Sequence, residues 1–286
     1  MASKPREAIL WMASTKSILP KKQGTGTQIL IMINPPVCVL FKHILTPLRR
    51  CVHSHWKVLA EKEDFDWRAI FENAEWFHFM GVTPALSDSC AEICLEACRV
   101  AKELGVTVSC DIHYDENLWS REKAGQVMST LMPYVDVLIA NEEDCECVFG
   151  LAVEDGDTAS GALSVEGYQL VAKKLSERFQ IPTVALTLRE GFSVGANVWS
   201  AMLYNHGEYF FSQKYELPDI DRVGGGNSFG GGLIYALSEG QSNQYVIDFA
   251  VASSALRHSA THGVSEVSIS EVEALMGDDG SEKIER

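Results

Sequence analysis

The sequence predicts an α/β fold, a mainly parallel sheet with helices on both faces. Two observations lead there. After residue 60, short apolar or β-branched runs alternate with amphipathic stretches of about 10 to 18 residues, the pattern of successive βαβ units. The strand-like runs are apolar throughout instead of alternating, as strands covered on both faces require. Each crossover is expected to be right-handed.

The elements follow in order. Trp76-Phe77-His78-Phe79-Met80 is the first buried run and stops at Gly81. Ser89 and Glu92 have the Ser-x-x-Glu spacing of a capping box and open a helix to Leu104. Gly105 stands where a left-handed C-terminal residue belongs. Residues 106–110 read as a strand, 121–131 as a helix, 135–140 as a strand, 164–179 as an amphipathic helix and 183–188 as a strand. Residues 194–204 and 208–213 read as a hairpin around His206-Gly207. A glycine-rich turn opens a helix to about Leu237, followed by helices at 244–257 and 270–276, and the acidic tail 277–286 reads as solvated. Residues 1–60 sustain neither a period of 2 nor of 3.6. The chain therefore divides into an irregular segment, 1–60, and a regular one, 61–286.

Bulk properties narrow the function. The chain has 286 residues, enough for one large domain or two small ones. A hydrophobic content of 46% and a charged content of 22% are those of a globular protein. The formal charge of −15 disfavours a nucleic-acid partner, because phosphate backbones repel such a surface. It says little about a nucleotide, which backbone N–H groups and a metal can hold. The apolar run 29–45 is interrupted by Pro35, Pro36 and Lys42, short of the ~20 residues of a membrane-spanning helix. No apolar stretch with a cleavage site follows Lys4 and Arg6. Of eight cysteines, Cys90, Cys94 and Cys98 share one helix face, and no C-x-x-C pair suggests a metal. They read as packing residues, and free cysteines point to a reducing, cytoplasmic setting.

Ligands of open α/β sheets lie beyond the carboxyl ends of the strands. Three stretches fall there: Asp111 to Leu118, Asn141 to Asp144, and Thr187 to Glu190. The chemistry-bearing stretch is Asp221-Arg222-Val223-Gly224-Gly225-Gly226-Asn227-Ser228-Phe229-Gly230-Gly231-Gly232. Glycines 224, 225 and 226 lack a Cβ, so successive backbone N–H groups can converge on one point. The helix N-terminus behind them adds positive potential and unpaired donors. The combination suits a phosphate group. There is no Gly-Lys-Ser/Thr of a Walker A loop, and the stretch does not follow a first strand as a dinucleotide fingerprint would. A flexible glycine hinge is the plainer alternative.

Asp221, Gly224 and Gly226 followed by a glycine-rich helix resemble the second signature of the ribokinase-like (PfkB) carbohydrate kinases, with Asn227 in place of its final Asp. Other stretches are similar to 2-keto-3-deoxygluconate kinases: Trp76 to Leu86, Ser109-Cys110-Asp111 with Leu118-Trp119, Ala140-Asn141-Glu142-Glu143-Asp144, and Leu186-Thr187-Leu188-Arg189-Glu190. The resemblance covers about three-quarters of the chain. It implies ATP-dependent phosphorylation of a sugar-acid hydroxyl, with a small-molecule sugar acid and a nucleotide as partners. Gly224, Gly225 and Gly226 would form the anion hole, and the residue at 227 would take the hydroxyl proton. Asn141 and Asp144 would help to place Mg²⁺ through water; the alternative is a helix cap. Arg189 would face the phosphates or the substrate carboxylate; the alternative is a surface salt bridge. The family's lids often pair subunits, which leaves a homo-oligomer open.

The sequence departs from the family at three places. Asn227 has no group that titrates near neutrality, and loss of a general base costs ~10²–10⁴-fold in rate. In Asp111-Ile112-His113-Tyr114-Asp115 the family's Asn is His113 and its Arg is Asp115. That exchange reverses a charge, worth ~4 kcal/mol per contact at ~4 Å and a dielectric of ~20 before screening. Residues 1–60 lack the family's opening strand, Gly-Gly substrate motif and β lid, so the N-terminal substrate and lid part is missing or replaced. The expectation is a weakened or inactive sugar-acid kinase. Two other readings stay open: a non-catalytic nucleotide- or sugar-binding protein, and a truncated, non-functional product.

Overall fold

In the computed structural model the described residues are 28–31, 62–153, 164–192, 196–217, 225–259 and 268–277. They divide into two compact units. One holds the described residues up to 152 together with 175–182, the other 153–174 and those from 183 onward. The fold is α/β as expected, with a parallel sheet and packed helices.

The first unit carries the strands β1 (Gln28–Ile31), β2 (Ala74–Met80), β3 (Thr107–Asp111) and β4 (Val137–Ala140). All neighbours in the order β1-β2-β3-β4 are parallel. The five last residues of β2 and all four of β4 are buried, as continuous apolar runs demand. Phe77 and Phe79 are wholly enclosed. Phe77 packs on Phe71 and Trp67 at centroid distances of 5.3 and 6.3 Å. The helices are α1 (Trp67–Ile70), α2 (Val82–Ala85), α3 (Asp88–Glu103), α4 (Arg121–Leu131) and α5 (Glu142–Phe149).

Helix α3 starts two residues before the sequence expectation. Its N-cap is Ser87, not Ser89: Ser87 is fully extended and its Oγ accepts the Cys90 N–H at 3.0 Å. At the other end Gly105 has φ +73°, and Val106 N–H reaches the Ala101 carbonyl at 2.9 Å, closing the helix as expected. Cys90, Cys94 and Cys98 lie on the buried face of α3, and all described cysteines are free. Burial pushes the thiols of Cys94 and Cys98 up, so they are packing residues and poor thiolates. Strand β1 lies inside the segment read as irregular; four residues are too few to register as a period. The remainder of residues 1–60 lies outside the described residues.

His78 on β2 is 4% exposed, and burial pulls its pKa down to about 4. Its Nδ1 lies 2.8 Å from Ser109 Oγ, which also accepts Trp76 Nε1–H at 2.8 Å. The imidazole is neutral when folded and charges readily at ~6.5 when unfolded. The unfolded chain thus binds more protons between these values, and the stability present above pH ~6.5 falls as the pH drops towards 4. Burial raises the carboxyls of Asp111 and Asp144 and acts in the opposite direction. A difference measurement isolates the histidine. Between pH 7 and 4.5 the parent is expected to lose about 2–3 kcal/mol more than His78→Gln in denaturant titrations. Parallel profiles would refute this.

The second unit contains α6 (Val165–Phe179), whose residues to Lys174 belong to it, and β5 (Thr183–Phe192), β6 (Ala196–Asn205), β7 (Glu208–Phe211) and β8 (Tyr215–Leu217). Strand β6 pairs antiparallel with β5, β7 and β8. The hairpin at His206-Gly207 forms as expected. Both residues have positive φ, 49° and 92°, which matches the twist of the flanking strands. Helices α7 (Gly225–Ser238), α8 (Asn243–Ser259) and α9 (Ile269–Gly277) complete the unit. Helix α8 presses close to α7. A Cβ on Gly232 would stand 2.7 Å from Ser253 Oγ and 3.1 Å from Ala250 Cα.

Candidate functional site

In the first unit the site residues gather where β3 and β4 end. Asp111 closes β3; its carbonyl accepts Gly81 N–H at 2.8 Å, and Ile112 N–H bonds to the Ile139 carbonyl at 3.0 Å. These bonds carry the parallel pairing past the strand ends and hold the next residues beside α5. Asp111 is 8% exposed. Burial pushes its carboxyl well above the ordinary range, the charge of Asp144 adds to this, and the His113 backbone N–H opposes it. A carboxyl so placed keeps a proton that an exposed aspartate would lose.

Asn141 and Asp144 are brought together as the capping box of α5. Asn141 Oδ1 accepts Asp144 N–H at 2.8 Å, and Asp144 Oδ2 accepts Asn141 N–H at 3.1 Å. The other oxygen of Asp144, Oδ1, accepts Tyr114 N–H at 2.8 Å. Asp144 thereby ties the chain after β3 to the start of α5. Its carboxyl is raised by burial against the pull of these two N–H groups. The helix cap that the residues allow for Asn141 and Asp144 is present, whereas the body of α5 shows no period in the sequence. An Asn N-cap with Asp three residues on is a capping box, and Gly150 in the left-handed region ends the helix.

His113 and Asp115 lie in the segment that joins β3 to α4. His113 is exposed at φ 38°. Asp115 Oδ1 accepts both the backbone N–H and the side-chain amide of Asn117 at 2.9 Å, and Tyr114 Oη–H donates to the Trp119 carbonyl at 3.2 Å. The carboxylate of Asp115 thus serves a local turn.

In the second unit the described part of the glycine-rich stretch, from Gly225 on, opens α7. Gly225 is buried, Gly226 exposed and Asn227 half-buried. Among the described residues outside its own helix turn, nothing lies within 4 Å of where a Cβ on Gly226 would stand, which leaves room for a ligand there. The first N–H groups of a helix have no intrahelical acceptor, and no acidic side chain occupies this turn. Phe229 and Leu233 are wholly buried and anchor the helix. The Gly225 carbonyl accepts the hydroxyl of Ser254 on α8 at 2.8 Å, a partner with no sequence signal. Gly224 lies outside the described residues. Arg189 sits on β5 opposite Trp199; its side chain lies outside them too.

Among the described residues no group of three or more His, Cys, Asp or Glu could hold a metal ion, and no helix is long and apolar enough to cross a membrane.

The sequence pattern of the pfkB family carbohydrate kinases matches residues 54–267. A 2-dehydro-3-deoxygalactonokinase of Haloferax volcanii is 30% identical over 217 residues, which are 75% of this chain and 61% of that protein. The crystal structure of 2-dehydro-3-deoxygluconokinase from Thermotoga maritima superposes with a TM-score of 0.70 at 44% identity, covering 77% of this chain and 65% of that one. A putative ribokinase II from E. coli, solved with ATP and Mg²⁺, shares the fold at 18% identity and a TM-score of 0.56, over 76% of this chain and 62% of its own. The chain thus spans less than two thirds of the length of these proteins.

Proposed function

The chain belongs to the pfkB family of carbohydrate kinases, related to the 2-keto-3-deoxy sugar acid kinases, and we propose that it binds ATP and phosphorylates a sugar acid of the 2-dehydro-3-deoxygluconate type at a reduced rate. The observation that carries this reading is the first turn of α7, where an open Gly226 backbone stands beside Asn227.

The roles follow residue by residue. The N–H groups of Gly224, Gly225 and Gly226 donate to the phosphoryl oxygens, where charge grows during transfer. Asn227 holds the acceptor hydroxyl as a hydrogen-bond partner and takes no proton from it. The hydroxyl must lose its proton to solvent, which slows the chemical step and leaves binding intact. Arg189 attracts the phosphates or the substrate carboxylate. His113 and Asp115 stand where the family contacts an anion. Asp115 repels one, which lowers affinity for the sugar acid.

ATP supplies the transferable phosphoryl group, and Mg²⁺ neutralises its phosphate charge. The oxygens of Asn141 and Asp144 are hard donors already bonded to backbone N–H groups. They fit a hydrated Mg²⁺ through its waters and not by direct ligation.

Mg-ATP is expected to raise the thermal midpoint of the purified chain. At ~100 times the dissociation constant the gain is about 2.7 kcal/mol, several degrees for a chain of this size. A cooperative transition that Mg-ATP leaves in place would overturn the reading.

A further inference from the structure

Ser254 lies in the interior of α8 and is wholly buried. A serine inside a helix ordinarily turns its hydroxyl to the carbonyl four residues back or to solvent. Ser254 instead crosses to the neighbouring helix and donates to the Gly225 carbonyl at 2.8 Å. That carbonyl and the Gly226 N–H belong to the same planar peptide unit. Anchoring the oxygen fixes the plane and hence the direction of the N–H. A proton donated to the oxygen also polarises the amide and makes its N–H a stronger donor. Gly226 is exposed, and among the described residues outside its own helix turn nothing lies within 4 Å of where a Cβ would stand.

The helices are spaced for this contact. Gly232 brings α7 against Ser253 and Ala250 of α8 so closely that a methyl group would collide. The adjacent Ser253 is equally buried, yet its hydroxyl finds no partner among the described residues. Of two neighbouring serines, one bonds to the backbone at the start of α7 and the other to none of the described residues.

We propose that Ser254 is a positioning residue for phosphoryl transfer: its hydroxyl orients and polarises the Gly225–Gly226 peptide, whose N–H donates to the phosphoryl oxygen. The proposal rests on the kinase reading above. Ser254 touches neither substrate nor reacting atoms and acts through the peptide.

The test uses the full chain carrying Asn227→Asp, so that turnover is measurable. Adding Ser254→Ala is expected to lower kcat by on the order of tenfold to 10²-fold, the cost of a misplaced group in a preorganised site, with little change in the KM for ATP. Ser254→Thr, which keeps the hydroxyl, should recover most of the loss, and Ser253→Ala should leave kcat as it was. Independently of turnover, the amide ¹⁵N resonance of Gly226 should move in Ser254→Ala further than those of the rest of α7. An unchanged kcat in a folded Ser254→Ala protein overturns the proposal. So does an equal loss in Ser253→Ala, which would make the contact one of packing alone. If Asn227→Asp with Ser254 intact shows no turnover, the kinase reading falls and the catalytic role falls with it. The Gly226 resonance would still say whether the hydrogen bond exists.

Discussion

Asn227→Asp is expected to raise ATP-dependent phosphorylation of a 2-keto-3-deoxy sugar acid by ~10²–10⁴-fold, the usual contribution of a positioned general base. Asn227 occupies the first turn of α7 and is half-buried, so a carboxylate of the same shape fits without repacking. The turn carries no acidic side chain, and a negative charge at a helix N-terminus adds about 0.3–1 kcal/mol of stability. The variant should therefore fold at least as well as the parent, and a stabilisation of about 0.3–1 kcal/mol is too small to account for a ~10²-fold gain in rate. Its affinity for ATP should drop, because a carboxylate beside the phosphates repels them. The check is steady-state kinetics of both proteins with ATP, Mg²⁺ and 2-dehydro-3-deoxygluconate, read as kcat and KM separately. A kcat that stays at a measurable parental level would show that the impediment lies elsewhere, with the reversed charge at Asp115 the first suspect; no turnover in either protein would overturn the kinase reading. An ATP affinity that does not fall would remove the charge argument.

Gly81→Ala is expected to destabilise the first unit by about 4 kcal/mol. A Cβ at this position would stand 1.9 Å from the Ile112 carbonyl oxygen and 3.0 Å from its carbon. The obstacle is backbone, which cannot rotate aside as a side chain can. Moving it pulls on the Gly81 N–H bond to the Asp111 carbonyl at 2.8 Å and on the Ile112 N–H bond to the Ile139 carbonyl at 3.0 Å. Overpacking of this kind costs up to ~3 kcal/mol, and a weakened backbone hydrogen bond adds ~1 kcal/mol. Because Ile112 follows Asp111, the same shift disturbs the carboxylates at the strand ends. Denaturant unfolding should show a lower midpoint with an unchanged slope. A loss below ~1 kcal/mol would mean that the β3 exit yields freely.

Much of the fold was legible in the residues. Helix α4 has the limits expected of it, Gly105 takes the left-handed conformation its position called for, and the hairpin turns at His206-Gly207. Buried runs such as Trp76 to Met80 announced a sheet covered on both faces. Boundaries were less legible. Ser87 and Ser89 both offer a hydroxyl for the start of α3, and only the extended backbone at Ser87 chooses between them. Helix α5 is eight residues long, too short for its period to stand out, although its capping box was written in Asn141 and Asp144.

The candidate site divides along the same line. The residues alone determined the class of fold, the glycine-rich opening of α7 and the exchange of a base for Asn227. The last two are local properties, decided by neighbours within about one helical turn, and the first is carried by the alternation of runs after residue 60. Only the tertiary structure decided that Asp144 holds Tyr114 from 30 residues away, that burial and the charge of Asp144 push the Asp111 carboxyl up, that Gly81 must be glycine because of Ile112, and that Ser254 reaches Gly225. Those facts depend on which distant segments exclude water from a polar group, and no period or motif in the chain carries that information.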